Sequence, residues 1–127
     1  MNSTFKVEIT EVNKELTAKE RIQLKDLSNA VKLDTLTQTE GSVIIKPVIW
    51  AVLSVHNERA ESDKDYKNYV LVDETGEKYS TGSNSFWNSF TNIVDEIGND
   101  DVELLIKVYR MPSKNRVGKD FITCSLA

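Results

Sequence analysis

The chain has 127 residues, of which 39% are apolar, so it can form one domain with a substantial core. Its 20 acidic and 16 basic residues give a net charge of −4, which argues against binding duplex DNA through whole-protein charge. One cysteine excludes an internal disulfide, and the sequence shows neither a signal-peptide pattern nor a long apolar segment. We therefore expect a cytoplasmic protein without a membrane partner.

The first 19 residues are predicted to form an arm that precedes the main domain, residues 20–127. Apolar residues alternate with polar ones at Phe5, Val7 and Ile9, which is the period of a strand. The arm is expected to be an edge strand or a segment that only a partner orders. It is also the candidate contact for a homo-oligomer.

The next segment admits two interpretations. Thr17 and Glu20 match a capping box, which would begin a helix. Apolar and polar residues alternate just beyond them, and this period favours a first strand at about 20–27. Residues 29–41 show little periodicity and are predicted to form a long loop.

The clearest strand pattern covers residues 42–56. Its buried face is predicted to carry Val43, Ile45, Ile49, Ala51, Leu53 and Val55. Lys46 and Trp50 lie on the opposite, outward face. Pro47 lacks the amide donor that a ladder needs, so a bend or bulge is expected near it. A long, bent strand of this kind is typical of a small closed barrel.

A third strand is predicted at residues 66–73, with Lys67 and Tyr69 on its outward face. A turn at 74–77 connects it to a short strand at 78–80. One helix follows within residues 85–97, where apolar residues recur at spacings of three and four before a terminating glycine.

Two further strands are predicted at residues 102–110 and 121–126, with Ile122, Cys124 and Leu126 facing inward. Their outward faces carry Tyr109 and Phe121. Between Leu104 and Lys119 every charged residue of this hairpin is basic: Lys107, Arg110, Lys114, Arg116 and Lys119. Such cations can replace the counterions along phosphates, and an exposed ring can stack an unpaired base for roughly 1–3 kcal/mol.

The predicted fold is mainly β with one helix. Strands and helix follow the order of an OB fold, a five-stranded barrel with the helix between strands 3 and 4. In that fold the loop between strands 4 and 5 borders the usual oligonucleotide groove. The basic hairpin occupies this loop, so the fold prediction and the charge pattern point to the same surface.

A set of short motifs within residues 70–126 supports this interpretation. They are an apolar strand with an Asp/Gly turn, a helix ending in Ile93-Val-Asp-Glu-Ile97, the strand Ile106-Lys-Val108, and a Ser-Lys…Gly loop from Ser113. This pattern resembles the small single-stranded-DNA-binding proteins of tailed phages with protein-primed replication, and related proteins of mobile elements. The resemblance implies a domain that coats single strands in the bacterial host during replication.

The sequence predicts no enzyme, metal or cofactor, because it has a single histidine and no phosphate-cradling glycine motif. The expected partner is single-stranded DNA or RNA. The alternative is a small acidic module that inhibits a host nucleic-acid enzyme, suggested by acidic clusters at 58–65 and 95–103. The predicted binding residues are Lys46, Trp50, Lys67, Tyr69, Lys107, Tyr109, Arg110, Lys114, Arg116, Lys119 and Phe121.

Overall fold

The computed structural model describes residues 5–58, 65–98, 100, 102–113 and 120–127. In chain order, its elements are β1 (Phe5–Val12), α1 (Ala18–Lys25), β2 (Val31–Lys32), α2 (Leu33–Glu40), β3 (Ser42–Ile45), β4 (Pro47–Asn57), β5 (Asp65–Asp73), β6 (Lys78–Thr81), α3 (Asn84–Ile97), β7 (Ile106–Pro112) and β8 (Asp120–Leu126). The fold is therefore mainly β, as predicted.

The chain forms two compact units. The first comprises Met1–Val31 and Val48–Gly82, and the second comprises Lys32–Pro47 and Ser83–Ala127. A five-stranded sheet in the order β1-β4-β5-β6-β2 makes up most of the first unit. One cluster of its core comprises Leu16, Leu24, Ala51, Leu53 and Val70, with Val7 and Ile9 packed against them.

The segment favoured as a first strand at 20–27 is the helix α1, so that prediction is wrong and the helical alternative is confirmed. A complete capping box closes its first turn: the Glu20 amide donates to the Thr17 hydroxyl at 3.2 Å, and the Thr17 amide donates to the Glu20 carboxylate at 2.9 Å. Lys78 caps the other end, because its ammonium group donates to the carbonyls of Gln23 and Asp26.

The predicted long loop at 29–41 is also wrong, because residues 33–40 form α2. Leu33 and Thr37 are buried on one side of this helix. The Thr37 hydroxyl donates to the Leu33 carbonyl at 2.8 Å, so a polar residue occupies a core position without an unpaired group. Gly41 ends the helix at a φ of 78°, a conformation that favours glycine.

The predicted strand at 42–56 is divided at Lys46 into β3 and β4, which belong to different sheets. The break lies beside Pro47, whose nitrogen cannot donate to a ladder. Within β4 both faces are buried, because Val52 and its neighbour Leu53 are almost inaccessible. Val52, which by alternation shares the face of Trp50 that was predicted to be outward, is therefore a core residue.

The hairpin of β5 and β6 matches the prediction. Its turn is held by Asp73, whose carboxylate accepts from the amides of Thr75 and Glu77 at 2.9 Å each. Gly76 in this turn has a φ of 93°. Desolvation alone would raise the pKa of the Asp73 carboxyl group, but the hydrogen bonds from the Thr75 hydroxyl and from these amides together lower it.

The second unit contains a three-stranded antiparallel sheet in the order β3-β7-β8. The predicted helix is confirmed as α3, which begins at the N-cap Ser83 and ends before Gly98. Phe86 and Phe90 are fully buried, with ring centroids 6.0 Å apart. The predicted hairpin of β7 and β8 is confirmed as well, although its first strand begins at Ile106 and not at residue 102.

Helix α3 lies along β8. The Ser85 hydroxyl donates to the Ile122 carbonyl at 3.0 Å, and the hydroxyls of Ser89 and Thr123 are 2.8 Å apart. These contacts satisfy polar groups at the edge of the small sheet.

The described strands form two sheets without a closed barrel among them, so the OB-like barrel remains a prediction. In the part of the chain described, no helix is long and apolar enough to cross a membrane.

Candidate nucleic-acid interface

The two faces of the small sheet differ sharply. Its inner face is buried and carries Ile45, Ile106, Val108, Ile122 and Cys124. The opposite side, which we call the outer face, carries Ser42, Ile44, Lys107, Tyr109, Met111 and Phe121. Leu126, predicted to face inward, is 48% exposed, because it lies at the end of β8.

Strand pairing brings the outer-face residues together. Tyr109 lies opposite Ser42 on one side and Thr123 on the other. Met111 lies opposite Phe121, so Tyr109 and Phe121 are diagonal neighbours on adjacent strands. Diagonal Cα atoms of this kind are about 7–8 Å apart.

Lys107 and Tyr109 form a cation–π pair on the outer face. The Lys107 ammonium lies 6.0 Å from the centroid of the Tyr109 ring, which is within the range of a cation–π contact. Lys107 is exposed and Tyr109 is half-buried. The face thus offers a positive charge and an aromatic surface side by side, as predicted from the alternation of β7.

Two members of the outer face were missed by the sequence analysis. Ile44 is 53% exposed and Met111 is 39% exposed. Met111 was assigned to the loop, but β7 continues through Pro112. The alternation of Lys107 and Tyr109 extends to Met111 and could have indicated its position.

Arg110 does not belong to the outer face, because its position in β7 directs it to the opposite side. Its guanidinium donates to the Asp34 carbonyl at 3.1 Å and lies 4.0 Å from the Asp120 carboxylate. The buried Nε has no hydrogen-bond partner among the described residues. Arg110 therefore connects β7 to α2, and these contacts favour a structural role over the predicted contact with DNA.

The prediction that Tyr69 is exposed is wrong, because only 7% of this residue is accessible. The adjacent Val70 is also buried, so β5 is covered on both faces at this point. Desolvation raises the pKa of the Tyr69 phenol. Lys67, two positions earlier, is exposed as predicted, and Trp50 on β4 is half-buried.

Lys46 lies in the connection between β3 and β4, where its ammonium forms an ion pair with Glu103 at 2.9 Å. Both side chains are partly exposed, so the pair adds little to stability. The predicted residues Lys114, Arg116 and Lys119 lie outside the described residues.

Cys124 and His56 are the residues of the described chain with the most reactive side chains. Burial raises the pKa of the Cys124 thiol to about 12, which suppresses the thiolate. The two His56 ring nitrogens lie 2.6 Å from Asp65 and 2.5 Å from Glu58. Each carboxylate takes a different nitrogen, so they do not converge on one point, and no metal-binding group occurs among the residues described.

Comparisons with protein-family models, curated proteins and solved structures find no match. A functional proposal must therefore start from the outer face itself. Of the predicted binding residues, the structure brings Lys107, Tyr109 and Phe121 together on this face. It assigns Trp50, Lys67 and Tyr69 to the other sheet.

Proposed function

We propose that the protein binds single-stranded DNA, or RNA, through the outer face of the small sheet. The observation that carries the proposal is the grouping of the exposed Lys107 and Phe121 with the half-buried Tyr109 on adjacent strands. Rings can stack unpaired bases, and the lysine beside Tyr109 can contact a neighbouring phosphate. The resemblance to phage single-stranded-DNA-binding proteins extends the proposal to an OB-like domain that acts in phage or mobile-element replication.

The spacing of the rings supports binding of an extended strand. Tyr109 and Phe121 can each receive one base, because they are diagonal neighbours on adjacent strands. The sequence between β7 and β8 adds the cations Lys114, Arg116 and Lys119, which suit a phosphate backbone. Stacking is available to every base, so we expect little sequence preference and weaker binding to duplex.

The first test replaces one ring. Tyr109→Ala should weaken binding to an unstructured oligonucleotide by about 1–3 kcal/mol, whereas Tyr109→Phe keeps the ring and should bind like wild type. Quenching of the fluorescence of the two tryptophans measures the affinity. Equal affinities for wild type and Tyr109→Ala would show that no base stacks at this position.

The second test removes charge. Replacing Lys114, Arg116 and Lys119 together by Ala should reduce the slope of log affinity against log salt by roughly 0.7 for each phosphate group that the variant no longer binds. Lys19→Ala removes an exposed charge from α1 and serves as the control. If the triple variant keeps both the affinity and the slope, this loop does not contact phosphate.

A second candidate function is binding to another protein, such as a host nucleic-acid enzyme that the protein would inhibit. The exposure of Ile44 and Met111 favours it, because apolar side chains beside a tyrosine also suit a protein interface. Salt-sensitive quenching by oligonucleotide separates the two candidates. The absence of a response to any polynucleotide would favour the protein-binding alternative.

A further inference from the structure

Strand β1 is at one end of the five-stranded sheet. It pairs with β4 on one side, and no strand in the described part of the chain pairs with its other edge. The register with β4 is regular from Phe5 to Ile9 and shifts between Ile9 and Glu11. A bulge twists a strand locally, so the straight part of the free edge is the segment centred on Val7.

Opposite charges flank that centre. Lys6 and Glu8 are exposed over 64% and 56% of their side chains, and their charged groups form an ion pair at 2.9 Å. Val7 and Ile9 face the other side of the sheet, where they pack against the core of the first unit. The edge is therefore polar on one face and apolar on the other, with charges placed symmetrically about Val7.

This symmetry restricts how two copies of β1 could pair. Directly opposite residues of antiparallel strands lie on the same face of the sheet. A two-fold centre at Lys6 would oppose two ammonium groups, and a centre at Glu8 would oppose two carboxylates. A two-fold centre between two consecutive residues would pair each residue with one from the other face. The core face of one copy would then lie on the same side as the solvent face of the other.

A two-fold centre at Val7 avoids both problems: it does not oppose like charges, and it keeps the core faces of the two copies on the same side of the sheet. It puts each Lys6 opposite Glu8 of the other copy, and Val7 opposite Val7. It also keeps Val7 and Ile9 of both copies on the core side of a continuous sheet. The two ion pairs within the strands then become one array of four alternating charges.

We propose that the protein self-associates through antiparallel pairing of β1 with β1 of a second copy, in the register centred on Val7. The sheet would then continue through both copies, five strands from each. This gives a specific geometry to the self-association expected of the N-terminal arm. It uses no residue of the outer face, so it can be tested independently of nucleic-acid binding.

Charge reversal provides the test. Lys6→Glu opposes carboxylates at two places across the interface, and Glu8→Lys opposes ammonium groups there. Each single variant should weaken self-association at least about tenfold. The double variant K6E/E8K exchanges the two charges, restores both pairs and should return to the wild-type association constant. Sedimentation equilibrium over a wide range of protein concentration measures these constants.

Lys19→Glu is the matched control, because it changes the net charge as Lys6→Glu does but lies on α1. It should associate like wild type. Recovery in the double variant, with weakened association in each single variant, supports the register. A wild-type protein that stays monomeric at every concentration would overturn the proposal. So would association that the single reversals leave unchanged or that the double variant fails to restore.

Discussion

Arg110→Ala should lower stability while leaving nucleic-acid binding almost intact. The substitution removes the hydrogen bond to the Asp34 carbonyl, and a bond from a charged donor is worth roughly 1.5–3 kcal/mol. The contact with Asp120 at 4.0 Å is partly exposed and adds at most about 1 kcal/mol. Removing the unpartnered, buried Nε returns about 1–3 kcal/mol. The net loss is therefore on the order of 1 kcal/mol.

For a chain of this length, a loss of that size lowers the melting temperature by about 3–5 °C. Thermal unfolding followed by circular dichroism measures the change, and oligonucleotide titration measures the affinity. Lys107→Ala is the reciprocal variant: it should reduce the affinity and leave the melting temperature unchanged, because Lys107 is exposed. If Arg110→Ala weakens binding more than Lys107→Ala does and melts like wild type, the assignment of these residues to opposite faces is wrong.

Three further predictions concern individual side chains. Cys124 should react with a thiol reagent far more slowly in the native protein than in denaturant, because burial raises its pKa to about 12. Hydrogen bonds to Asp65 and Glu58 raise the pKa of His56 in the folded protein. The stability that His56 contributes is therefore complete below the unfolded pKa of about 6.5, and it is lost as the pH rises through the folded pKa. The difference in melting temperature between wild type and His56→Gln should accordingly shrink with increasing pH, and NMR titration of this single histidine should give a pKa above that of a peptide. Thr17→Ala should destabilise the protein by about 1 kcal/mol through loss of the cap on α1, measured by urea unfolding, whereas Thr17→Ser should retain the cap.

The elements that the sequence predicts correctly carry several agreeing signals. Helix α3 combines an apolar stripe with a serine cap at Ser83 and a terminating glycine at Gly98. The β7–β8 hairpin combines alternation with a polar loop. Their local preferences and tertiary packing favour the same structure, so a single sequence is sufficient to identify them.

The errors arise where local patterns conflict or cannot report burial. Near α1, the alternation that suggested a strand leaves Ile22 70% exposed and Leu24 buried, while the capping box determines the helix. In α2, the polar residue Thr37 occupies a buried position, so the apolar pattern of this helix is interrupted in the sequence. Alternation also cannot distinguish a strand with one covered face from a strand covered on both, which is why Tyr69 was assigned to the surface.

At the candidate site, alternation was sufficient to place Lys107, Tyr109 and Phe121 on one face. Alternation also places Arg110 on the other face, although the positive charge of Arg110 by itself suggests a contact with DNA. Composition indicates which types of side chain are available, whereas the odd or even position of a residue in its strand decides which face of the sheet it occupies.

The attachment of α1 has a consequence for the order of events during synthesis. An eight-residue helix is marginal alone, and α1 gains its stability from the packing of Leu24 beside Val70 and from the bonds between Lys78 and its final carbonyls. Those partners are made some 50 residues later. At typical rates of translation, residues 70–78 leave the ribosome several seconds after α1. The first helix of the chain thus becomes stable only after residues 70–78 have been made.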